Sequence, residues 1–233
     1  MARLSIIMPV LDEGDAIAGA LDALAELRGL GVEVIVVDGG SQDATVQRAR
    51  LRADHVLSAS RGRAAQMNAG AAKAAGDVLL FLHADTRLPR EAERLVLDGL
   101  ARSGQGSGHV WGRFDVTIAG RHPMLRLVAF MMNLRSRITG IATGDQAIFV
   151  KRDAFHAAGG FPDIPLMEDV ALSKRLKRTS RPLCLRERAT TSGRRWETHG
   201  VFRTILLMWR LRLAYFLGAD PATLARRYRY GGG

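Results

Sequence analysis

The chain has 233 residues, 47% hydrophobic and 24% charged, which excludes a disordered chain and allows one substantial core. A formal net charge of +11 favours anionic partners such as phosphorylated substrates or an anionic membrane surface. Nucleic acid is disfavoured because aromatics are not interleaved with the arginines, and the lone Cys184 rules out an intrachain disulfide.

Leu4 to Val10 is a short apolar run around Pro9, with acids directly after it. It reads as a first strand rather than a leader, so the expected location is cytoplasmic. Residues 13–29 carry Ile17, Leu21, Leu24 and Leu27 at helical spacing. Val32 to Val37 is a β-branched run closed by Asp38-Gly39-Gly40-Ser41. Residues 43–51 predict a helix, His55 to Leu57 a short strand, and the Ala-rich residues 63–75 another helix. Val78 to Leu82 is uniformly apolar and ends at His83-Ala84-Asp85-Thr86; residues 90–102 predict a further helix. Strands this apolar must be covered on both faces, so the expectation is a mostly parallel sheet in a Rossmann-like α/β fold.

Beyond residue 103 the pattern changes. Gly104 to Gly108 reads as a link, and Val110 to Ile118 alternates like an antiparallel strand. Residues 124–138 and 201–217 are apolar stretches dotted with arginine. Asp145 to Val150 is a strand candidate and 167–178 a helix. Cys184, in the apolar run from Pro182 to Leu185, reads as a small buried hydrophobe. Gly231-Gly232-Gly233 reads as a disordered end. The division expected is one domain over 1–233: a Rossmann-like half to 103, a second half over 109–198 and a helical arm over 199–230.

Ligands of open α/β sheets bind beyond the carboxyl ends of the strands. Each early strand ends at an acid: Asp12-Glu13, Asp38 and Asp85. No G-x-G-x-x-G follows the first strand and no Walker sequence occurs, so hydride transfer and P-loop chemistry lose support. Asp38 can accept hydrogen bonds from a ribose or base, although Asp-Gly-Gly-Ser is also a turn sequence; Asp43 is better placed as a helix cap. Asp85 suits a hard divalent cation completed by substrate phosphates, or equally a cap. Arg61 and Arg63 oppose the dipole of the helix they precede; a phosphate would relieve that conflict, and a solvated basic loop would ignore it. Glu168 and Asp169 sit where a helix N-terminus favours carboxylates.

Taken in order, these pieces resemble glycosyltransferase family 2. Met8-Pro9-Val10-Leu11-Asp12-Glu13 is similar to its opening strand and loop, and Val36 to Thr45 to its D-D-G-S-x-D-x-T segment. Arg61 to Gly70 resembles its G-K-A-x-A-R-N-x-G helix. His83-Ala84-Asp85 stands at its D-x-D motif, and Gly159-Gly160-Phe161 with Glu168-Asp169-Val170-Ala171-Leu172 resembles its acceptor-side segment. The resemblance implies the GT-A fold and inverting transfer from a nucleotide-diphosphate sugar with Mg²⁺ or Mn²⁺. On it, Pro9, Glu13 and Asp38 would line the nucleoside pocket. Arg61 or Arg63 would approach the base or diphosphate, with His83, Ala84 and Glu168 beside the donor. Asp85 would bind the metal, Arg195 the leaving diphosphate, and Asp169 would be the general base. His83 replaces the first Asp of D-x-D, which puts metal dependence in question.

Asp145 falls in a region that faces the acceptor in similar enzymes. The apolar-arginine stretches suit packing, an interfacial helix on anionic lipid, a lipid-linked acceptor or a second copy in a homodimer. A nucleotidyltransferase would want a Gly-rich loop after strand one, which Pro9 to Glu13 does not supply. A catalytically degenerate basic binding protein of the same fold is the other alternative.

Overall fold

The computed structural model describes residues 2–102 and 108–230, with backbone alone at 229 and 230. Most of the expected Gly104–Gly108 link and the closing triglycine lie outside the described residues.

Strand β1 (Leu4–Val10) runs through the middle of the first half, parallel to β2 (Glu33–Asp38) on one side and β4 (Val78–Phe81) on the other, with β3 (His55–Ser58) outside β2. The register sets Val10 beside Asp38 and Ile7 beside Phe81, so the acidic loops leave the sheet at a common edge. Alternate residues face opposite layers, as the two-residue period of a strand requires. Ile6 and Met8 pack with Ile17 and Leu21 of α1 (Gly14–Asp22) and with Val96 of α5 (Ala92–Arg102). Ile7 and Val37 pack with Ala64 and Met67 of α4 (Arg63–Lys73). The short helices α2 (Ala25–Gly29) and α3 (Thr45–Arg50) complete the first layer.

The second half extends the same sheet with mixed directions. Strand β7 (Phe149–Lys151) adds antiparallel to β4, β6 (Trp111–Ala119) antiparallel to β7, and β8 (Leu183–Ser192) parallel to β6. The two-residue β5 (Thr86–Arg87) closes on β8, giving the order β3-β2-β1-β4-β7-β6-β8-β5. Helix α6 (Met124–Thr139) covers Val116 and Ile118 through Leu125, Ala129 and Met132, and ends at the left-handed Gly140. After α7 (Arg152–Ala157) and α8 (Glu168–Leu176) the chain finishes in α9 (Arg194–His199), α10 (Val201–Phe216) and α11 (Pro221–Tyr230).

Several expectations need correction. The segment from Asp145 is not a strand: Gly144–Gln146 is a 3₁₀ turn and Ala147 has φ 46°, so pairing starts only at Phe149. The Gly144 N–H is held by Asp169 (2.9 Å) and the Thr143 N–H by the Gln146 side chain (3.2 Å), which bends the backbone out of the ladder. The expected 13–29 helix is two, because Ala23 and Leu24 turn between α1 and α2. Cys184 is half-buried rather than buried. Strand β6 pairs antiparallel with β7 but parallel with β8, which the sequence reading did not include.

Candidate active site

The loops after β1 and β2 are laced together. Asp12, at φ 52°, donates its N–H to the Ser41 hydroxyl (2.9 Å) and accepts from the Gln42 N–H (2.8 Å). Asp43 accepts from the Gly14 N–H (2.7 Å), the first amide of α1, and from the Thr45 N–H (2.9 Å), the first of α3. One carboxylate thus caps two helices, and these bonds, led by the Thr45 hydroxyl, hold its pKa below the usual range. Asp38 is buried and directs its oxygens into its own loop, accepting from the Gly40 N–H (3.0 Å) and the Ser41 N–H (3.1 Å). The turn reading of Asp38 is therefore realised, and the remaining lone pairs are what it can offer a ligand.

A second group of side chains forms one electrostatic neighbourhood. Burial raises the Glu13 pKa, as do Asp85 and Asp43, while Arg194 and Arg63 counter them. Burial lowers the His83 pKa to about 4, helped by Arg63 and opposed by Asp85 and Asp169. His83 is therefore a neutral imidazole at neutral pH. Its ring lies against Gly144, where an added Cβ would sit 2.5 Å from it, and its Nδ1 is 3.8 Å from Asp145. Burial raises the Asp145 pKa as well; Arg63, Arg212 and Arg195 act against it and Asp169 with it. Arg63 is reached by solvent yet ringed by protein: burial disfavours its charge, but Glu168, Asp145 and Asp169 outweigh that and raise its pKa. Arg63 thus stands among these carboxylates with its side chain open to solvent.

Glu168 and Asp169 open α8 behind Met167, whose φ of 70° turns the chain into the helix. Glu168 is buried, and burial together with Asp169 pushes its pKa up to about 7. Asp169 is fixed by two amides, Gly144 N–H to Oδ2 (2.9 Å) and Val170 N–H to Oδ1 (2.7 Å). Asp85 is exposed; Thr86 donates its hydroxyl to Oδ1 (3.2 Å), and the Asp85 carbonyl accepts from the Ser192 N–H (3.1 Å), tying this loop to β8. Arg195 stacks 3.8 Å over the Tyr228 ring and donates to the Tyr228 carbonyl (3.3 Å), so α11 helps orient it.

Of the residues expected in the site, the structure gathers Glu13, Arg63, His83, Asp85, Glu168, Asp169 and Arg195 into this neighbourhood. Arg63 acts on Glu13, His83, Asp145 and Glu168 and so is the arginine placed among these groups; Arg61 is exposed. Ala84 has its methyl in the core and can offer only its backbone. Pro9 is half-buried in β1 beside Val37. Two arginines were missed as cleft residues. Arg194 is the largest electrostatic influence on Glu13. Arg135 is held down to about 10, first by burial and then by Arg212, and its Nε and one terminal nitrogen are buried without a hydrogen-bond partner among the described residues. Arg194 stands beside the expected Arg195 at the start of α9, whereas no local pattern marks Arg135, which comes from α6.

Among the described residues no three His, Cys, Asp or Glu side chains are grouped to hold a metal. The donor set does not fit an all-protein cage. One exposed carboxylate beside a neutral imidazole does fit a hard cation that takes most of its ligands from substrate phosphates.

Acids at the carboxyl edge of a Rossmann-like half, continued by a sheet of mixed direction, define the GT-A fold. Residues 5–157 match the family model described as Glycosyl transferase family 2, and the chain belongs to that family. Solved structures share its fold. S. aureus TarS 1–349 is similar at a TM-score of 0.64 with 18% identity, over 87% of this chain and 64% of that one. The mannosyltransferase PcManGT from Pyrobaculum calidifontis, in complex with GDP-Man and Mn²⁺, is similar at 0.64 with 19% identity, over 99% of this chain and 70% of that one. Glucosyl-3-phosphoglycerate synthase from Mycobacterium tuberculosis, with Mn²⁺, UDP and phosphoglyceric acid, is similar at 0.56 with 19% identity, over 80% and 68%. The chain thus spans less than two-thirds of the TarS fragment. Among curated protein sequences, none matches.

Proposed function

We propose that this chain is an inverting glycosyltransferase that moves a sugar from a nucleotide-diphosphate sugar to an acceptor hydroxyl. The observation that carries the reading is the convergence of Asp85, Arg63 and an amide-anchored Asp169 around His83, with Arg195 beside them at Asp145. Family membership and the nucleotide complexes of PcManGT and the synthase support the donor class.

In this reading Pro9, Glu13 and the free lone pairs of Asp38 line the nucleoside site. Arg63 and Arg195 face the diphosphate, whose charge they offset, and His83, Ala84 and Glu168 flank it. Asp169 takes the acceptor proton as the acceptor oxygen bonds to the anomeric carbon. The bond from that carbon to the diphosphate breaks on the opposite face, the configuration inverts and a nucleoside diphosphate departs. The two amide bonds to Asp169 fix its direction, and positioning is the first requirement of a general base. Asp85, with His83 beside it, would hold Mg²⁺ or Mn²⁺, which when bound supplies charge neutralisation at the leaving diphosphate.

No helix among the described residues is long and apolar enough to cross a membrane. The exposed apolar stripes of α6 and α10, flanked by arginines, support peripheral attachment to the cytoplasmic face of the cell membrane, where a lipid-linked acceptor would lie. A homodimer through those stripes would bring like charges together, since neither helix carries an acid.

A thermal-shift panel of uridine, guanosine, adenosine and thymidine diphosphates and their sugars, each with and without Mn²⁺, tests the donor reading. At least one nucleotide should raise the melting temperature, and more so with metal. No shift from any of them would overturn it.

A further inference from the structure

A cavity of about 640 Å³ lies between α6 and the β6–β8 pair, lined by residues that the transfer chemistry does not use. Val116, Ile118 and Ala129 make its apolar wall. Phe130 and Leu134 at the rim are 59% and 38% exposed. Four arginines line the same space: Arg126 and Arg137 from α6, Arg186 and Arg188 from β8.

The charge in this cavity is not balanced. Asp115 is its lining carboxylate, and both oxygens are taken, one by the fully buried Arg113 and the other by Arg137 at 2.7 Å. Glu187 stands between Arg186 and Arg188 in β8 but is not part of the lining. The side chains of Arg126, Arg186 and Arg188 have no ion pair or hydrogen bond among the described residues. Three uncompensated guanidinium groups around one cavity repel one another, and a phosphate placed among them would turn that repulsion into charge-assisted, bidentate bonding.

The rest of the lining says what the phosphate is attached to. A free phosphate has no use for the apolar wall or for Phe130 and Leu134. Those two belong to a longer exposed stripe on α6 that includes Leu127, Met131 and Ile138, and α6 carries three arginines and no acid. A second copy of this chain would set arginine against arginine there. An anionic bilayer complements both features, with headgroup phosphate in the cavity and acyl chains along the stripe.

We infer that the cavity between α6 and the β6–β8 pair is a binding site for the phosphate headgroup of an anionic phospholipid, seating the protein on the bilayer by α6. The inference rests on the peripheral-membrane reading above and is separate from the donor cleft.

The test uses the full chain. Binding is measured to phosphatidylcholine vesicles with and without phosphatidylglycerol, to soluble dihexanoyl phosphatidic acid, and to inorganic phosphate. Two variants are compared: Arg186→Ser/Arg188→Ser in the cavity, and Arg50→Ser/Arg178→Ser, which removes the same charge from exposed positions elsewhere. The cavity variant should lose about tenfold in affinity for the soluble lipid and for anionic vesicles, as expected for two charge-assisted contacts, while the control stays near wild type. Equal losses in the two variants would overturn the site and leave only diffuse attraction to a basic surface. Inorganic phosphate matching the soluble lipid would overturn the lipid assignment. Absence of wild-type vesicle binding would sink the membrane reading with it. The nucleotide-diphosphate thermal shift, measured on the same samples, should be unchanged in both variants; it reports folding and keeps the donor reading apart from this one.

Discussion

At the scale of single residues, the two acids that follow buried strands behave differently. Asp38 accepts from the amides of its own loop, whereas Asp85 is exposed, with only Thr86 bonded to its carboxylate among the described residues. Replacing Asp85 with Ala should therefore abolish any Mn²⁺-dependent part of the nucleotide thermal shift and leave the metal-free part; a persisting metal effect would remove Asp85 from the site. Asp169→Asn retains an acceptor oxygen for Gly144 or Val170 but cannot take a proton. Donor affinity should hold while turnover falls about 10²–10⁴-fold, the usual worth of a general base, as read by steady-state kinetics.

Glu168 gives a pH prediction whose sign follows from linkage. Its folded pKa of about 7 lies above the ordinary 4.5, so the folded state binds the extra proton. The stabilisation is fully present at low pH and is lost as pH rises from about 4.5 through 7. Glu168→Gln should remove this slope: melting temperatures of variant and wild type should diverge in the variant's favour between pH 5 and pH 8, on the order of 3 kcal/mol at most. Parallel curves would mean that Glu168 is ionised throughout.

At the scale of elements, the site depends on close packing of α4 against the parallel strands. Gly70 has no room for a Cβ: one there would overlap Ile7 and sit 3.0 Å from Val37. Gly70→Ala must push α4 off β1 and β2, at about 1–3 kcal/mol of overpacking, and it would carry Arg63 away from the acids. A lower melting temperature with weakened nucleotide binding is expected; an unchanged melting temperature would show that the layer has slack. The 3₁₀ turn at Gly144 is the other positioning element, since it sets the His83 ring and the Asp169 carboxylate on either side of one glycine.

Strand β8 shows why part of this was illegible. Its ten residues include Arg186-Glu187-Arg188, which leaves no apolar alternation to read. It is a strand because β6 pairs with it across a register shift at Phe114/Asp115 and β5 closes its other side. By contrast β1, β2 and β4 were readable, because a strand covered on both faces must be apolar throughout.

At the scale of the whole molecule, the surface divides by chemistry. Phe202, Leu206, Trp209, Leu213 and Phe216 recur on α10 at intervals of four and three, all exposed, with arginines and no acids on the helix. Trp111 is buried, Trp196 half-buried and Trp209 66% exposed, so Trp209 is the tryptophan most open to a change of surroundings. Anionic vesicles should blue-shift the fluorescence emission, and high salt should reverse the shift because surface attraction is screened within about 10 Å at 0.1 M. Emission that ignores the vesicles would mean α10 meets a protein instead.

The sequence by itself determined the Rossmann-like half, the order of the acids along it and the family they resemble. Hydrophobic periodicity and turn chemistry are local, and a motif keeps its order whatever the fold does. Only the tertiary structure decided which of those residues share a cleft. It separated Arg63 from Arg61, turned the Asp145 segment from a strand into a bend held by Asp169, and brought Arg135, Arg194 and Arg212 to the site from helices far along the chain. It also lined one cavity with arginines from α6 and β8. Through-space electrostatics and burial depend on distances between remote elements, and no spacing along a chain encodes those directly.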